Sequence, residues 1–310
     1  MMRSVKVLKH WGITFKKNWQ LLMLCIPGLV AYILFNYVPM AGVVLAFKDY
    51  KYNLGIFGSP WAGFKNFEYL LRSPDLWRIT RNTVGYSLLF LVVGMSAEII
   101  TALLLFEIDS KKSLKFYQTC LQFPRFMSWV IVGFITYAIF NPVMGVMNQM
   151  LRDFGMDKVD VYSNVAYWPW ILTICHIWKG VGAGCIVYYA ALMGVDGSLY
   201  EAAAIDGARR WQQTIHISIP SLIPVATILG IMSIGGIFNG DFGLFYQIPR
   251  NVGSLYSATD IVNTYTFRAL QSGSFTAGAA VGLLQSVLGL IMVVLSNGVV
   301  KKIAPENAMF

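Results

Sequence analysis

The chain has 310 residues, 56% of them hydrophobic and only 13% charged, with a formal net charge of +9. Its mean hydropathy of +0.59 excludes an ordinary soluble domain and points to an integral membrane protein. Membrane lipid is the expected surrounding, and no nucleic-acid partner is expected.

In chain order, residues 1–20 form a basic segment carrying Arg3, Lys6, Lys9, Lys16 and Lys17. The apolar run Leu21–Phe47 follows. It is too long for a signal-peptide core and lacks a small-x-small cleavage site, so it reads as a retained membrane helix. Further runs at Thr83–Phe106, Phe123–Phe140, Trp168–Leu192, Ser221–Phe238 and Gly278–Val300 bring the expected spans to six, an all-α fold. In the third, Pro124 and Pro142 bracket a shorter stretch. The polar stretches Lys48–Asn82, Asn141–Tyr167 and Asn239–Ala277 contain Trp, Tyr and Pro, which predicts ordered loops with interfacial anchors.

Lys179 and Glu98 fall inside spans, and an intramembrane charge is a functional hypothesis by default. Lys179 either faces protein or a water cavity, or snorkels to the outer surface beside Trp178. Glu98 either supplies a counter-charge to it or makes a buried interhelical hydrogen bond. The fifth span ends in Gly235-Gly236-Ile237-Phe238-Asn239-Gly240-Asp241-Phe242-Gly243. Glycines there let the backbone break, which membranes tolerate only where it lines protein or a cavity. Asn239, Asp241, Phe242 and Tyr246 supply the amide, carboxylate and aromatic faces that a sugar site needs; a plain glycine-rich helix end is the alternative.

Other chemistry is sparse. His10, His176 and His216 do not cluster, and Cys25, Cys120, Cys175 and Cys185 lack metal or redox spacing, so free packing thiols are expected. Asp153, Asp157 and Asp160 read as a solvated loop rather than a metal site. No catalytic residue, metal or resident cofactor is expected. There is no G-x-x-x-x-G-K-[ST] phosphate loop, so the chain itself offers no nucleotide site of that kind.

With the N-terminus inside, segments 1–20, 107–122, 193–220 and 301–310 are cytoplasmic. They hold twelve Lys or Arg against the six acids Glu107, Asp109, Asp196, Glu201, Asp206 and Glu306. The positive-inside rule therefore places both termini in the cytoplasm, with Arg78 and Arg81 as unexplained positive residues outside. The division is a basic N-terminus (1–20), a six-helix membrane domain (21–300) and a C-terminal tail (301–310).

The segment Ser198–Pro224 stands apart. Glu201, Asp206, Arg209 and Arg210 would each cost about 2.5–3.5 kcal/mol at a bilayer centre, which keeps the segment in water at the membrane surface. Ser198-Leu199-Tyr200-Glu201 fits a capping box, Ala202-Ala203-Ala204 permits close approach to the helix backbone, and Gly207 permits a turn. A second helical stretch puts Trp211 and Ile215 on one face until Pro220 opens the next span.

Glu201-Ala202-Ala203, then Gly207 after three intervening residues and Ile217-Ser218-Ile219-Pro220 after nine more, resemble the EAA loop (here 196–220) of bacterial ABC importer permeases. Ile219 stands where that family more often has Leu. Phe35-Asn36-Tyr37-Val38-Pro39-Met40, Phe47-Lys48-Asp49-Tyr50, Gly63-Phe64-Lys65-Asn66-Phe67, Ile177-Trp178-Lys179-Gly180 and Asp260-Ile261-Val262-Asn263-Thr264-Tyr265 are similar to the LplB-like branch of the maltose-type carbohydrate permeases. The resemblance implies a type I importer fold in a bacterial cytoplasmic membrane, with cytoplasmic coupling helices. It also implies a second, non-identical permease, two ATPases, an extracytoplasmic solute-binding protein and an oligosaccharide cargo. Glu201, Ala202, Ala203, Asp206, Gly207, Arg209, Trp211 and Pro220 would be the ATPase-coupling residues, with Glu201 meeting a basic group in the ATPase cleft. A permease for another solute, a stand-alone secondary transporter and a membrane enzyme acting on lipid-linked sugars are the alternatives. The second would need inverted repeats and the third a catalytic cluster, and neither is visible.

Overall fold

The computed structural model describes residues 18–303 and residue 305. The basic residues of the N-terminal segment and Glu306 lie outside the described residues. Helices α1 (Trp19–Phe47), α3 (Pro74–Phe106), α7 (Val165–Met193), α9 (Arg210–Gly235) and α12 (Phe275–Lys302) are each long and apolar enough to cross a membrane. At 29 residues, α7 is about 44 Å long, well beyond the roughly 30 Å of hydrocarbon.

The third expected span is a bent pair. Helices α4 (Lys111–Phe126) and α5 (Trp129–Phe140) meet at 96°. Pro124 tightens the end of α4, Met127 is extended, and the Ser128 hydroxyl restarts the chain by accepting the Ile131 N–H at 3.3 Å. The 12 residues of α5 reach only about 18 Å, so α5 cannot cross alone; counted as one span, the pair brings the total to six.

The remaining helices are shorter: α2 (Lys65–Arg72), α6 (Val146–Asp153), α8 (Gly197–Ile205), α10 (Phe242–Gln247) and α11 (Val262–Gln271). At the centre, α7 packs against α3, α4 and α9, while α12 packs against α11, α9 and the C-terminal part of α1. Wider π-type turns interrupt three spans, at Ile33–Tyr37, Phe90–Gly94 and Thr214–Ser218. The first and third lie just before Pro39 and Pro220, whose missing N–H breaks the regular ladder. The turn at Phe90–Gly94 has no proline, and it faces the cavity described below.

One core cluster closes the side bearing the long polar loops. Trp168 is fully buried there and donates its indole N–H to the Val161 carbonyl at 3.0 Å. Burial pushes the nearby Tyr162 phenol up to about 12, so it stays a donor to the Ile248 carbonyl. A second cluster, with Leu105, Cys185, Tyr188, Leu192 and Leu222, joins α3, α7 and α9 toward the other side.

The loop expected between the first two spans is ordered. Lys48 is 3% exposed, donates to the Phe57 carbonyl at 2.6 Å and lies over the Trp61 ring, while Asn66 donates to the carbonyls of Ala46 and Lys48. Arg78 and Arg81, the charges that the positive-inside rule left unexplained, are also accounted for. Asp260 is fully buried and takes Arg78 on one oxygen at 3.0 Å and Arg268 on the other at 2.5 Å. Arg81 donates to the Ser257 carbonyl at 2.9 Å. These charges stitch α3 to α11 and to the segment between α10 and α11.

Candidate functional site

Two places combine unusual chemistry with a position set by the fold: a cavity among α3, α7 and α9, and the exposed polar segment between α7 and α9.

The cavity has a volume of about 260 Å³. From α3 it is bordered by Tyr86, Phe90, Gly94 and Glu98, from α7 by His176 and Tyr188, and from the broken end of α9 by Asn239 and Asp241. The α9 helix stops at Gly235 and the chain turns irregularly through Gly236–Asp241, as its glycines predict. Three neighbours satisfy this opened backbone: Ser87 donates to the Ile237 carbonyl at 2.7 Å, Gln285 to Phe238 at 2.8 Å and Asn263 to Gly240 at 2.8 Å. Asp241 accepts the Leu244 N–H and so starts α10. Gln285 also holds the Asn239 side-chain oxygen at 3.0 Å, which leaves the Asn239 amide N–H groups facing no partner among the described residues.

Several sequence expectations are redistributed. Glu98 and Lys179 do not pair. Glu98 lies against Gly184, where a Cβ would overlap its carboxylate. Lys179 is half-buried, donates to the Arg125 carbonyl at 3.1 Å and sits 4.9 Å from the Trp129 ring, so its charge clasps the α4–α5 bend. Phe242 and Tyr246 leave the cavity: they stack on each other at 5.0 Å and both pack against Phe267. His176, which sequence spacing passed over, borders the cavity with its ring stacked on Phe90 at 4.0 Å. Its distance in sequence from every other polar cavity residue hid it. Among the described residues no His, Cys, Asp and Glu group could hold a metal ion, and the Asp160 carboxylate is turned onto the Tyr162 and Ser163 amides. All four cysteines are free.

In the polar segment the expected capping box does not form. The helix begins one residue before Ser198, and Asp196 is its cap, accepting the Ser198 N–H at 2.9 Å. That hydrogen bond holds the Asp196 carboxyl below its ordinary value. Ser198 therefore lies within the first turn, and Glu201 is exposed with no hydrogen bond to any described residue. At the other end Gly207 has φ +79°, and the Ala208 and Gly207 amides close onto the Ala203 and Ala204 carbonyls at 2.9 and 3.1 Å. This is a Schellman stop that turns the chain into α9. The second stretch runs without a break from Arg210 into the span, the turn at Thr214–Ser218 absorbing Pro220.

One face of α8 is seated on the protein. The Tyr200 hydroxyl meets the Ser218 hydroxyl at 2.9 Å and its ring packs on Phe106, while Arg210 pairs with Glu107 at 2.7 Å. The opposite face leaves Leu199, Glu201, Ala202, Ile205 and Asp206 exposed, with Arg209 and Trp211 beside them. A ridge of small and apolar residues with two exposed carboxylates, Glu201 and Asp206, anchored at its back to α3 and α9, is suited to a partner's cleft.

Residues 99–304 match the family described as binding-protein-dependent transport system inner membrane component. The chain is 35% identical over 298 residues to the protein LplB of Bacillus subtilis (strain 168), covering 96% of this chain and 93% of that one. It is 36% identical over 288 residues to the polygalacturonan/rhamnogalacturonan transport system permease protein YteP of the same organism, covering 93% and 89%. Its fold superposes with a TM-score of 0.85 and 31% identity on the crystal structure of a bacterial ABC transporter involved in the import of the acidic polysaccharide alginate, over 95% of this chain and 99% of that one. A second structure, of the alginate transporter in complex with an alginate pentasaccharide-bound periplasmic protein, gives 0.82 at 31% identity over 94% and 96%.

Proposed function

This chain belongs to the binding-protein-dependent transport system inner membrane components, the permease subunits of ABC importers, and we propose that it carries an oligosaccharide across a bacterial cytoplasmic membrane as half of a permease pair. The chain supplies no ATPase. A second, non-identical permease completes the path, two ATPase subunits bind ATP and magnesium, and an extracytoplasmic binding protein delivers the sugar. Both termini are cytoplasmic, so residues 1–20 and 301–310 flank the membrane domain on the ATPase side.

The observation that carries this reading is the bare outer face of α8, backed by a rigid seat. Glu201, Ala202, Ala203, Asp206, Gly207, Arg209, Trp211 and Pro220 form the coupling region. An ATPase cleft that grips Glu201 and the alanines would move α8 as a body, because Gly207 fixes its exit and Tyr200 its back. Motion then passes to α3 through Glu107–Arg210 and to α9 through Ser218. These are the helices whose π-type turn and broken end border the cavity. Closing the ATPases thereby reshapes the cavity, and Glu98, Asn239 and Asp241 lie on the sugar path.

The test is purification of this chain from its native membrane, followed by ATPase assays with oligosaccharide-loaded binding protein. Recovery of an ATPase and a second permease, with hydrolysis raised by one sugar, supports the reading. A chain that comes out alone under mild detergent, or a complex indifferent to every oligosaccharide, refutes it.

A further inference from the structure

We infer that the cavity admits uncharged sugar units and rejects uronates, so that the cargo at this site is a neutral oligosaccharide even though the alginate importer and YteP are named for acidic polysaccharides. The inference rests on the reading that sugar passes this cavity.

Charge is the first ground. The acidic side chains bordering the cavity are Glu98 and Asp241, with His176 beside them, and no lysine or arginine is among its lining residues. Nearby cations are engaged elsewhere. Arg78 and Arg268 are bound to Asp260, Arg81 to the Ser257 carbonyl, Lys179 to Arg125 and Trp129, and Arg250 lies 4.0 Å from the Tyr137 ring. A uronate unit would bring a third carboxylate into a space with no fixed cation to receive it. At about 6 Å and an effective dielectric of about 20, repulsion by one ionised carboxylate is worth about a hundredfold in affinity.

The hydrogen-bonding groups are the second ground. The hydroxyls of Tyr86 and Tyr188 are buried and have no hydrogen-bond partner among the described residues, and both tyrosines border the cavity. Glu98 accepts no hydrogen bond from any described residue, and the Asn239 amide N–H groups are free. Buried hydroxyls, a carboxyl and an amide without partners favour a ligand that both donates and accepts at many points, which a neutral pyranose does. Size agrees: 260 Å³ lies just below the roughly 300–1,000 Å³ of small-ligand pockets, room for about one sugar ring. The carboxyls thus select by repulsion as well as by bonding.

The experiment uses the complete importer in nanodiscs without its binding protein, so that access to the cavity rather than delivery is read. Ser233→Cys, at the cavity edge, is labelled with a neutral thiol reagent and scored by mass spectrometry at that position. Mannotetraose should slow labelling, and tetragalacturonate should be at least about tenfold less effective. Asp241→Asn, which keeps the cap on α10, and Glu98→Gln should each narrow that gap. Equal protection by both sugars in the unaltered cavity overturns the inference and leaves the sugar path standing. Protection by neither sugar, in an importer whose ATPase still responds to loaded binding protein, removes the cavity from the path and the inference with it.

Discussion

The carboxylate of Glu98 fills the place that a side chain at Gly184 would need, so α7 has no room for one where this half-buried acid of α3 stands. Replacing Gly184 by Ala forces the acid aside or the helices apart, a strain of about 1–3 kcal/mol. Gly184→Ala should lower the temperature at which the solubilised complex aggregates, and adding Glu98→Ala should restore part of the loss. A double-mutant cycle by fluorescence-detected size exclusion measures the coupling. Strictly additive effects would mean that the two residues do not meet.

How much of this was legible in the sequence differs from place to place, for physical reasons. The spans were, because membrane thickness sets a length that apolar runs must meet; Trp19–Phe47 and Phe275–Lys302 nearly repeat the expected runs. The 96° bend before Trp129 was not, since it is made by two extended residues, Met127 and Ser128, after Pro124 and by a carbonyl clasped by Lys179 from a distant helix. Within the polar segment the turn at Gly207 followed from local chemistry. The cap did not, because Asp196 and Ser198 are both good N-caps and only the path of the chain out of α7 chooses between them. Asp260 could be read as part of a motif but not as the partner of Arg78, which lies 182 residues away.

Glu201 carries its charge into solvent, so removing that charge should cost the chain itself almost nothing. Glu201→Ala should leave the midpoint within about 0.5 kcal/mol, as surface changes do, while ATPase recovery and sugar-stimulated hydrolysis fall together. A variant with normal hydrolysis and transport would remove Glu201 from the coupling surface.

Gly207 separates conformation from contact. Its φ of +79° costs a residue with a Cβ about 1–2 kcal/mol. Gly207→Val should therefore open the turn and abolish ATPase recovery, and Gly207→Asn, a tolerated occupant of that region, should retain much of it. Equal damage from both variants would instead indicate that bulk at this position blocks the partner.

The cap at Asp196 gives α8 a pH dependence of defined sign. Its carboxyl is held below the usual range by the Ser198 N–H. The stabilisation is therefore complete above the unfolded value near 3.9 and lost as pH falls through the folded value. Amide exchange at Ser198 and Leu199 should accelerate only in that acid window. Asp196→Asn should keep a cap and flatten the profile; an unchanged profile would assign the titration elsewhere.

Asp260 separates two arginines that would otherwise repel each other. It is fully buried, whereas Arg78 and Arg268 keep 30% and 20% of their side-chain surface. Removing one partner of a buried ion pair typically costs about 3–5 kcal/mol. Asp260→Asn leaves both cations without it, and Asp75 can answer only Arg78, at 2.8 Å. The variant should insert in the membrane yet yield little monodisperse complex by size exclusion. Asp260→Asn with Arg268→Gln should recover part of that yield, because the pair of arginines is then reduced to one that Asp75 still neutralises. Recovery tells a charge role from a packing role: an asparagine that merely fitted badly would gain nothing from the loss of Arg268.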